Sequence, residues 1–236
     1  MSSPIPPPDL RPKGPSAKLN PPLADKSGGG TIYLFAATRW EVSPELYQLP
    51  NVSVIITGIG VDNAYRVGAG LKPAPTKSPL LLSIGLSGST HESLRPYDIV
   101  LANVTHQITH SNEWRTENEF RFPEGNLSSY HDTPFEQSRV VWGHIGSVPR
   151  PIWFPGAKKE IGSSRAVCAI DMESCAVARA AQEHHLPFLA IRIILDSIDE
   201  PLIGWRPWEF VRRVFKARNI LGRFIEHYFK STDHSP

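Results

Sequence analysis

Charged side chains lie in or just after several apolar segments of this chain, where they could do acid–base or anion-binding chemistry. The acids are Glu41, Asp171, Glu173 and Asp196, and the arginines are Arg39 and Arg192. Carboxyl groups exchange protons and accept hydrogen bonds, while guanidinium groups bind anions. If the apolar segments are strands of one sheet, their carboxyl ends form an edge where ligands bind. The sequence therefore predicts that these side chains converge on one site.

Most of these acids also have a purely structural interpretation. Asp171 and Ser174 resemble a pair that caps the start of a helix, where acids are favoured by the helix dipole. Asp196 could open a loop after a strand, and Glu41 could be a surface acid. The capping interpretation accounts less well for Met172 and Glu173, which lie between the capping residues.

Arg192 is harder to explain as an ordinary structural residue. It lies inside the apolar run 188–195, so we expect it to be buried, and a buried guanidinium needs an anionic partner or ligand. Because side chains alternate along a strand, Arg192 and Asp196 are predicted to share one strand face. A structural ion pair and a role in the site both remain open for Arg192.

The segments that must position these residues alternate between apolar strands and helices. Strands are predicted at 31–37, 52–57, 80–84, 98–106, 140–148 and 188–195, and helices after Ser43 and at 62–70, 174–186 and 208–230. Strands that are apolar on both faces and separated by helices indicate a covered sheet. The predicted fold class is therefore a three-layer α/β/α architecture with a central mixed, largely parallel sheet. No prediction is made for the polar stretch 109–137.

Composition divides the chain into a tail and one domain. Residues 1–30 are rich in Pro and Gly and are predicted to be a disordered tail, and residues 31–236 form one domain. A formal net charge of +2 gives no reason to expect nucleic-acid binding. The chain has 2 cysteines, no apolar run long enough to cross a membrane and no secretory signal, so we expect a cytoplasmic protein. The histidines are scattered, and no metal site is predicted.

The C-terminal helix, at about 205–230, combines basic and aromatic residues. The basic residues are Arg206, Arg212, Arg213, Lys216, Arg218, Arg223 and Lys230, and the apolar ones include Trp208, Val211, Phe215, Leu221, Phe224, Ile225 and Tyr228. One interpretation is a helix that packs on the domain with a solvated basic face. The other is a helix that also touches the inner membrane face peripherally.

Taken together, the motifs resemble the nucleoside phosphorylase/nucleosidase superfamily from about residue 31 to 199. The resemblance is carried by Glu41, the Gly-containing turns after the second and third strands, Asp98-Ile-Val100, Asp171-Met-Glu-Ser174 and Arg192-x-x-x-Asp196. The Asp-Met-Glu-Ser form, Leu82-Ser-Ile-Gly-Leu-Ser-Gly88 and Leu94-Arg-Pro-x-Asp98 are most similar to the hopanoid-associated branch, implicated in releasing adenine from adenosylhopane. The segment Phe35-Ala-Ala-Thr-Arg-Trp-Glu41 also looks like futalosine hydrolase.

The resemblance implies an enzyme that cleaves the N-glycosidic bond of a 5′-modified adenosine. Adenosylhopane is the first candidate, and futalosine or methylthioadenosine/S-adenosylhomocysteine is the alternative. Asp196 would protonate purine N7, and Glu173 would accept hydrogen bonds from the ribose hydroxyls, with Met172 packed against the sugar. Glu41 would orient the attacking water, and Arg192 would lie near the nucleophile. No cofactor is implied beyond inorganic phosphate, which would replace water in a phosphorylase, and relatives commonly form homo-oligomers.

Four further residues are weaker candidates for the base or nucleophile pocket. Relatives carry a small hydroxyl residue near the third-strand turn, but this chain has Leu86 there and Ser87 next to it. Arg39 is a candidate phosphate contact or a surface arginine. Ile152 and Trp153 match the stretch that contacts the base in relatives, and Trp153 could stack on the base or be a core aromatic. Water and phosphate remain alternatives as the nucleophile.

Overall fold

A computed structural model describes residues 31–73, 79–110, 113–123, 133–165, 167–200 and 206–232. The strands, β1 to β11, are Ile32–Ala36, Val52–Ile56, Leu80–Ser89, Ile99–Ala102, Val104–His110, Trp114–Arg121, Thr133–Phe135, Ser138–Trp142, His144–Ser147, Val167–Asp171 and Phe188–Asp196. The α-helices, α1 to α4, are Val61–Ala69, Pro155–Arg165, Ser174–Glu183 and Pro207–Thr232. Two short 3₁₀ helices, Arg39–Glu41 and Pro44–Gln48, follow β1. The predicted tail at 1–30 lies outside the described residues.

The strands form one mixed sheet in the order β6-β5-β9-β10-β3-β11-β4-β8-β7, with β1 and β2 joined to it through β3. Parallel pairs include β1 with β3 and β3 with β11, whereas β3 pairs with β10 and β11 pairs with β4 in the antiparallel direction. The first half of β3 pairs with β1 and its last residues pair with β10. The sheet therefore divides along β3, and the end of β3 lies between the strands that lead to the predicted site.

Helices cover both faces of the sheet, as predicted. On one face, α1 and α3 pack together on a core that includes Phe35, Leu81 and Val177. On the other face, α4 packs on a core that includes Leu82 and Leu221. Neighbouring residues of β3 thus contribute to opposite cores, because side chains alternate along a strand. The strands are apolar on both faces for this reason, and the predicted three-layer α/β/α class is confirmed.

Two predicted strands are in fact two strands each. The segment 98–106 divides into β4 and β5 at Asn103, and the segment 140–148 divides into β8 and β9 at Gly143. At these points the chain leaves one part of the sheet and joins another: β4 pairs with β11 and β8, whereas β5 pairs with β9 and β6. The apolar run continues through the change of partner, so hydropathy alone does not reveal it.

Other departures concern local structure. The helix predicted after Ser43 is the short 3₁₀ helix Pro44–Gln48, and neither α2 nor β10 is predicted. The unassigned stretch 109–137 contains β6 and β7. In the described ranges, no helix combines the length and apolar content that crossing a bilayer requires.

Candidate active site

A cavity of about 390 Å³ opens where the ends of β3, β10 and β11 meet. Its wall carries acids, and much of the rest of its lining is apolar. The lining includes Thr38, Trp40, Glu41, Ile59, Leu86, Ser87, Ile152, Lys158, Asp171, Met172, Glu173, Asp196, Phe210 and Val214. All four acids named from the sequence therefore line one cavity, although their chemical roles remain predictions.

Glu41 enters the cavity from the 3₁₀ helix after β1. Its Oε2 accepts hydrogen bonds from the backbone N–H (2.8 Å) and the hydroxyl (3.3 Å) of Thr38, and its Oε1 accepts one from the N–H of Leu86 at 3.3 Å. A Cβ at Gly85 would lie 2.9 Å from Oε1 and 3.7 Å from Cζ of Arg192, so only glycine lets the carboxylate approach β3 this closely. Burial raises the pKa of Glu41, and the nearby Arg192 charge opposes that rise.

Glu173 and Met172 lie in the short turn between β10 and α3. One carboxylate oxygen of Glu173 accepts a hydrogen bond from the N–H of Gly60 at 2.7 Å, at the residue that precedes α1. Burial and the charge of Asp171 raise the pKa of Glu173 to about 7, and the charge of Glu41 adds to the rise. Glu41 and Glu173 are therefore close enough to interact across the cavity.

Asp196 is the last residue of β11, at the point where the register between β11 and β3 shifts. Its Oδ2 accepts a hydrogen bond from Nζ of Lys158, and both side chains are buried. Burial raises the pKa of Asp196 to about 6, although the Lys158 charge and hydrogen bond lower it. A carboxyl group that titrates near 6 can carry a proton to a substrate close to neutral pH.

Arg192 lies behind the cavity wall and forms a buried ion pair with Asp171. Its Nε donates to Oδ2 of Asp171 at 2.7 Å, and a terminal nitrogen donates to the hydroxyl of Ser83 at 2.8 Å. Asp171 also accepts hydrogen bonds from the hydroxyl of Ser147 at 2.6 Å and from the N–H and hydroxyl of Ser174. Arg192 thus forms a structural ion pair, one of the two alternatives that the sequence analysis left open, and its partner is Asp171 rather than Asp196.

The weaker candidates divide into two groups. Ser87 and Ile152 line the cavity, and the Ser87 hydroxyl lies 3.5 Å from the carbonyl oxygen of Ile193. Arg39 is exposed, and Trp153 is 48% exposed; both lie outside the cavity lining. The surface interpretation of Arg39 fits this placement, and Trp153 is not a core aromatic.

Apolar side chains surround the mouth of the cavity and remain open to solvent. Trp40 is 57% exposed, Ile59 59% and Phe210 44%. The Trp40 ring lies beside Phe215 of α4, with ring centroids 5.6 Å apart. Exposed aromatic clusters of this kind mark binding surfaces more often than isolated apolar residues do.

The structure adds residues that the sequence argument missed. Lys158 and Phe210 line the cavity, but α2 was not predicted and the first turn of α4 was not assigned to the site. Pro155 at the first position of α2 is the one local signal for that helix. Within the described part of the chain, no group of three His, Cys, Asp or Glu side chains is placed to hold a metal ion.

Solved structures with a similar fold include enzymes that act on nucleosides. The 5′-methylthioadenosine/S-adenosylhomocysteine nucleosidase from S. pneumoniae, with a transition-state inhibitor, is 18% identical with a TM-score of 0.65, and the match covers 83% of this chain and 96% of that one. A futalosine hydrolase mutant of Helicobacter pylori is 16% identical with a TM-score of 0.62, covering 86% of this chain and 100% of that one. At this level of identity the likeness establishes the fold.

The Neisseria meningitidis 5′-methylthioadenosine/S-adenosylhomocysteine nucleosidase, in complex with methylthio-immucillin-A, is 20% identical with a TM-score of 0.65. That match covers 81% of this chain and 96% of the other. No curated protein sequence matches this chain. A family model described as the phosphorylase superfamily matches residues 45–230. The chain therefore belongs to the phosphorylase superfamily and is an enzyme that acts on N-glycosyl bonds.

Proposed function

We propose that this enzyme releases adenine from a 5′-modified adenosine with an apolar 5′ group, and that adenosylhopane is that substrate. The observation that carries the proposal is a single cavity in which Glu41, Glu173 and Asp196 lie on the wall and apolar side chains form the mouth. Acids suit the cleavage of a glycosidic bond. An apolar mouth suits a hydrocarbon that extends from the ribose.

Asp196 acts as the general acid in this proposal. Departure of the base leaves negative charge on the purine, and a proton delivered to N7 neutralises it. Asp196 must therefore be protonated when substrate is bound, and burial supports this by raising its pKa to about 6. The proton moves from the Asp196 carboxyl group to N7 as the glycosidic bond breaks.

Glu173 holds the ribose. A carboxylate can accept hydrogen bonds from both members of a vicinal diol, and the Gly60 N–H occupies one of the Glu173 oxygens. In the part of the chain that the structure describes, no donor contacts the other oxygen, which can accept from the 2′- and 3′-hydroxyl groups. Met172 lines the same wall and packs against the sugar. The positive charge that develops on the ribose is stabilised by this acidic wall.

Glu41 orients the nucleophile, which we propose to be water, and accepts the proton that this water loses as its oxygen bonds to C1′ of the ribose. Glu41 lies on the cavity wall, and an ionised carboxylate there accepts a hydrogen bond from a water molecule but repels an incoming phosphate dianion. Arg192, which would have to bind phosphate, already donates to Asp171, Ser83 and the carbonyl of Ile191. Phosphorolysis with inorganic phosphate as co-substrate is the alternative outcome, and no other cofactor is proposed.

The decisive experiment is base release followed by liquid chromatography. Adenosylhopane, methylthioadenosine and futalosine are offered separately, each with and without phosphate. Adenine from adenosylhopane without phosphate supports the proposal, whereas a requirement for phosphate replaces hydrolysis by phosphorolysis. Base release from only a soluble nucleoside would overturn the lipid substrate and favour the alternative, a methylthioadenosine/S-adenosylhomocysteine or futalosine nucleosidase. The relatives with those names share the fold.

A lipid substrate also requires access to a membrane, and the first half of α4 is suited to that contact. Trp208, Phe210, Val211 and Phe215 are exposed there. Arg212 and Lys216 are exposed on the same half of the helix, and Arg206 is exposed just before it. Exposed aromatic and basic side chains next to the cavity mouth complement an anionic bilayer surface, so we propose peripheral contact of a cytoplasmic enzyme with the inner membrane face.

Co-sedimentation with liposomes tests this contact. Binding to liposomes that contain anionic lipid is expected at low salt and should weaken when Arg212 and Lys216 are both replaced by Gln. The control is His227→Gln, a substitution at an exposed position towards the other end of α4. Absence of binding at low salt would overturn the membrane contact.

Light scattering tests the homo-oligomer that the family resemblance implies. If a second copy of the chain covers the exposed first half of α4, that surface cannot also contact a membrane.

A further inference from the structure

Lys158 is a buried cation in the cavity wall, and its ammonium group makes three hydrogen bonds. Its Nζ donates to Oδ2 of Asp196 and to the carbonyl oxygens of Ser197 at 2.9 Å and Glu200 at 2.8 Å. A lysine ammonium has three donors, so all of them have an acceptor. Lys158 therefore connects the acid at the end of β11 to the backbone of the loop that follows it.

Helix α2 holds Lys158 in this position. Ile161, three residues later, is fully buried in a cluster that includes Val148 and Ile170. A Cβ at Gly162 would lie 2.2 Å from the carbonyl oxygen of Thr90, so α2 lies against the chain just after β3 and has no room to approach further. The lysine thus projects from a helix packed against the strands that form the site.

The remaining charges near Asp196 largely oppose one another. Glu200 and Arg213 both act on Asp196, and they pair with each other at 2.7 Å between Nη2 and Oε1. Their effects on Asp196 are of opposite sign. Lys158 is thus the dominant charge acting on the Asp196 carboxyl group, and it favours the ionised form.

From this geometry we propose that Lys158 is a positioning residue for the general acid: it fixes one oxygen of Asp196 and sets the pH range in which the other can deliver a proton. Lys158 does not touch the substrate in this proposal, and the proton that reaches the base is the one on Asp196. The role in catalysis rests on the proposed function, whereas the effect on Asp196 is a property of the free protein.

The first test therefore uses no substrate. The protein is labelled with ¹³C at the aspartate side-chain carboxyl, and the Asp196 signal is identified by its loss in Asp196→Asn. We expect the Asp196 titration midpoint to rise by about one to three pH units in Lys158→Met, because an adjacent opposite charge lowers a carboxyl pKa by about that amount. Lys159→Met is the matched control: the next lysine of α2 is exposed and pairs with Asp199 at 2.6 Å, so its loss should leave the midpoint unchanged.

The second test is the pH profile of kcat/KM for adenine release from the nucleoside that the wild-type enzyme cleaves. Since the acid must be protonated, activity falls as pH rises through the Asp196 pKa. In Lys158→Met this falling limb should move to higher pH by the same amount, whereas Lys158→Arg, which keeps the charge, should restore it. A residue with a merely structural role would lower kcat/KM at every pH and leave the limb in place, which would overturn the proposal.

Two further outcomes separate the proposals. If wild-type enzyme releases adenine from none of the nucleosides, the proposed function fails, but the carboxyl titration still decides the role of Lys158. If Lys158→Met does not fold, Lys158→Gln removes the charge and keeps a donor for the loop carbonyls. A midpoint that stays at the wild-type value in a folded, charge-free variant would overturn the inference.

Discussion

Two buried ion pairs lie at the site of this protein, and they differ in the number of hydrogen bonds that the carboxylate accepts. The Arg192 and Asp171 side chains are 1% and 0% exposed, and those of Lys158 and Asp196 are 1% and 3% exposed. Asp171 accepts hydrogen bonds from Arg192, from two serine hydroxyls and from backbone N–H groups. Among the described residues, the hydrogen bond to the Asp196 carboxyl comes from Lys158 alone.

The number of hydrogen bonds that each carboxylate accepts indicates which acid has a structural role and which can react. A carboxylate with donors on both oxygens is stabilised in its charged form and ties together the elements that supply the donors. Asp171 joins β9, β10, β11 and the start of α3 in this way. Within the described ranges no donor contacts the second oxygen of Asp196, which lines the cavity, and burial raises the pKa of Asp196 to about 6. Although the two side chains are similarly buried, Asp171 therefore holds the strands together and Asp196 can act as an acid.

The largest expected effect is on activity, from Asp196→Asn. The amide cannot deliver the proton, so we expect kcat for adenine release to fall by about 10²- to 10⁴-fold, the usual contribution of a general acid. Nucleoside binding should persist, because Glu173 and the apolar lining remain, and calorimetry with the uncleaved nucleoside measures it. Activity that survives in Asp196→Asn would remove the distinction between the two pairs.

The next effect is on stability, from Asp171→Asn. This change leaves the buried Arg192 without a counter-charge, and breaking a buried pair in this way costs about 3–5 kcal/mol. Urea unfolding followed by circular dichroism measures the loss. Asp196→Asn should reduce the free energy of unfolding by less, because burial already disfavours the Asp196 carboxylate in the folded protein and Asp196 accepts fewer hydrogen bonds than Asp171. An equal loss in the two variants would contradict the comparison.

The sequence predicts the fold and most of the cavity wall because these features depend on patterns within short segments of the chain. Apolar runs with helices between them indicate a covered sheet. Glu41 and Asp196 follow predicted strands, whereas Glu173 precedes a predicted helix and the strand before it, β10, is not predicted. The same reasoning places Glu41, Glu173 and Asp196 in one site, and the cavity lining agrees. Their roles in catalysis come from the family resemblance and remain predictions.

The partners of the charged residues are not predictable in the same way. Arg192 and Asp171 lie on strands that both flank β3, and nothing local indicates that their side chains meet. Lys158 lies on a helix with weak signals, since glycines at 156 and 162 lower its helix propensity. The glycine at 162 is explained only by the close approach to Thr90. Long-range contacts therefore decide which carboxylate is paired with which cation.

The smallest expected effect is the pH dependence of stability. An acid whose pKa is higher in the folded protein than in the unfolded chain binds more protons when folded, so stability is greatest below the unfolded pKa and falls as pH rises. For Asp196 the window runs from about 3.8 to about 6, and such a shift is worth about 3 kcal/mol at most. Wild-type protein should therefore lose unfolding free energy across this window, and Asp196→Asn should lose less.

The exposed acid Asp199, three residues further along, provides the matched control. Its side chain is 70% exposed and pairs with Lys159 on the surface. In Asp199→Asn, the change in unfolding free energy across this pH window should therefore stay within about 0.5 kcal/mol of the wild-type change. Glu173, whose pKa is raised to about 7, adds a slope of the same sign at higher pH that all three proteins share. If Asp196→Asn and Asp199→Asn give the same slope, the folded protein does not hold Asp196 as a proton-binding acid, and the two buried pairs are equivalent.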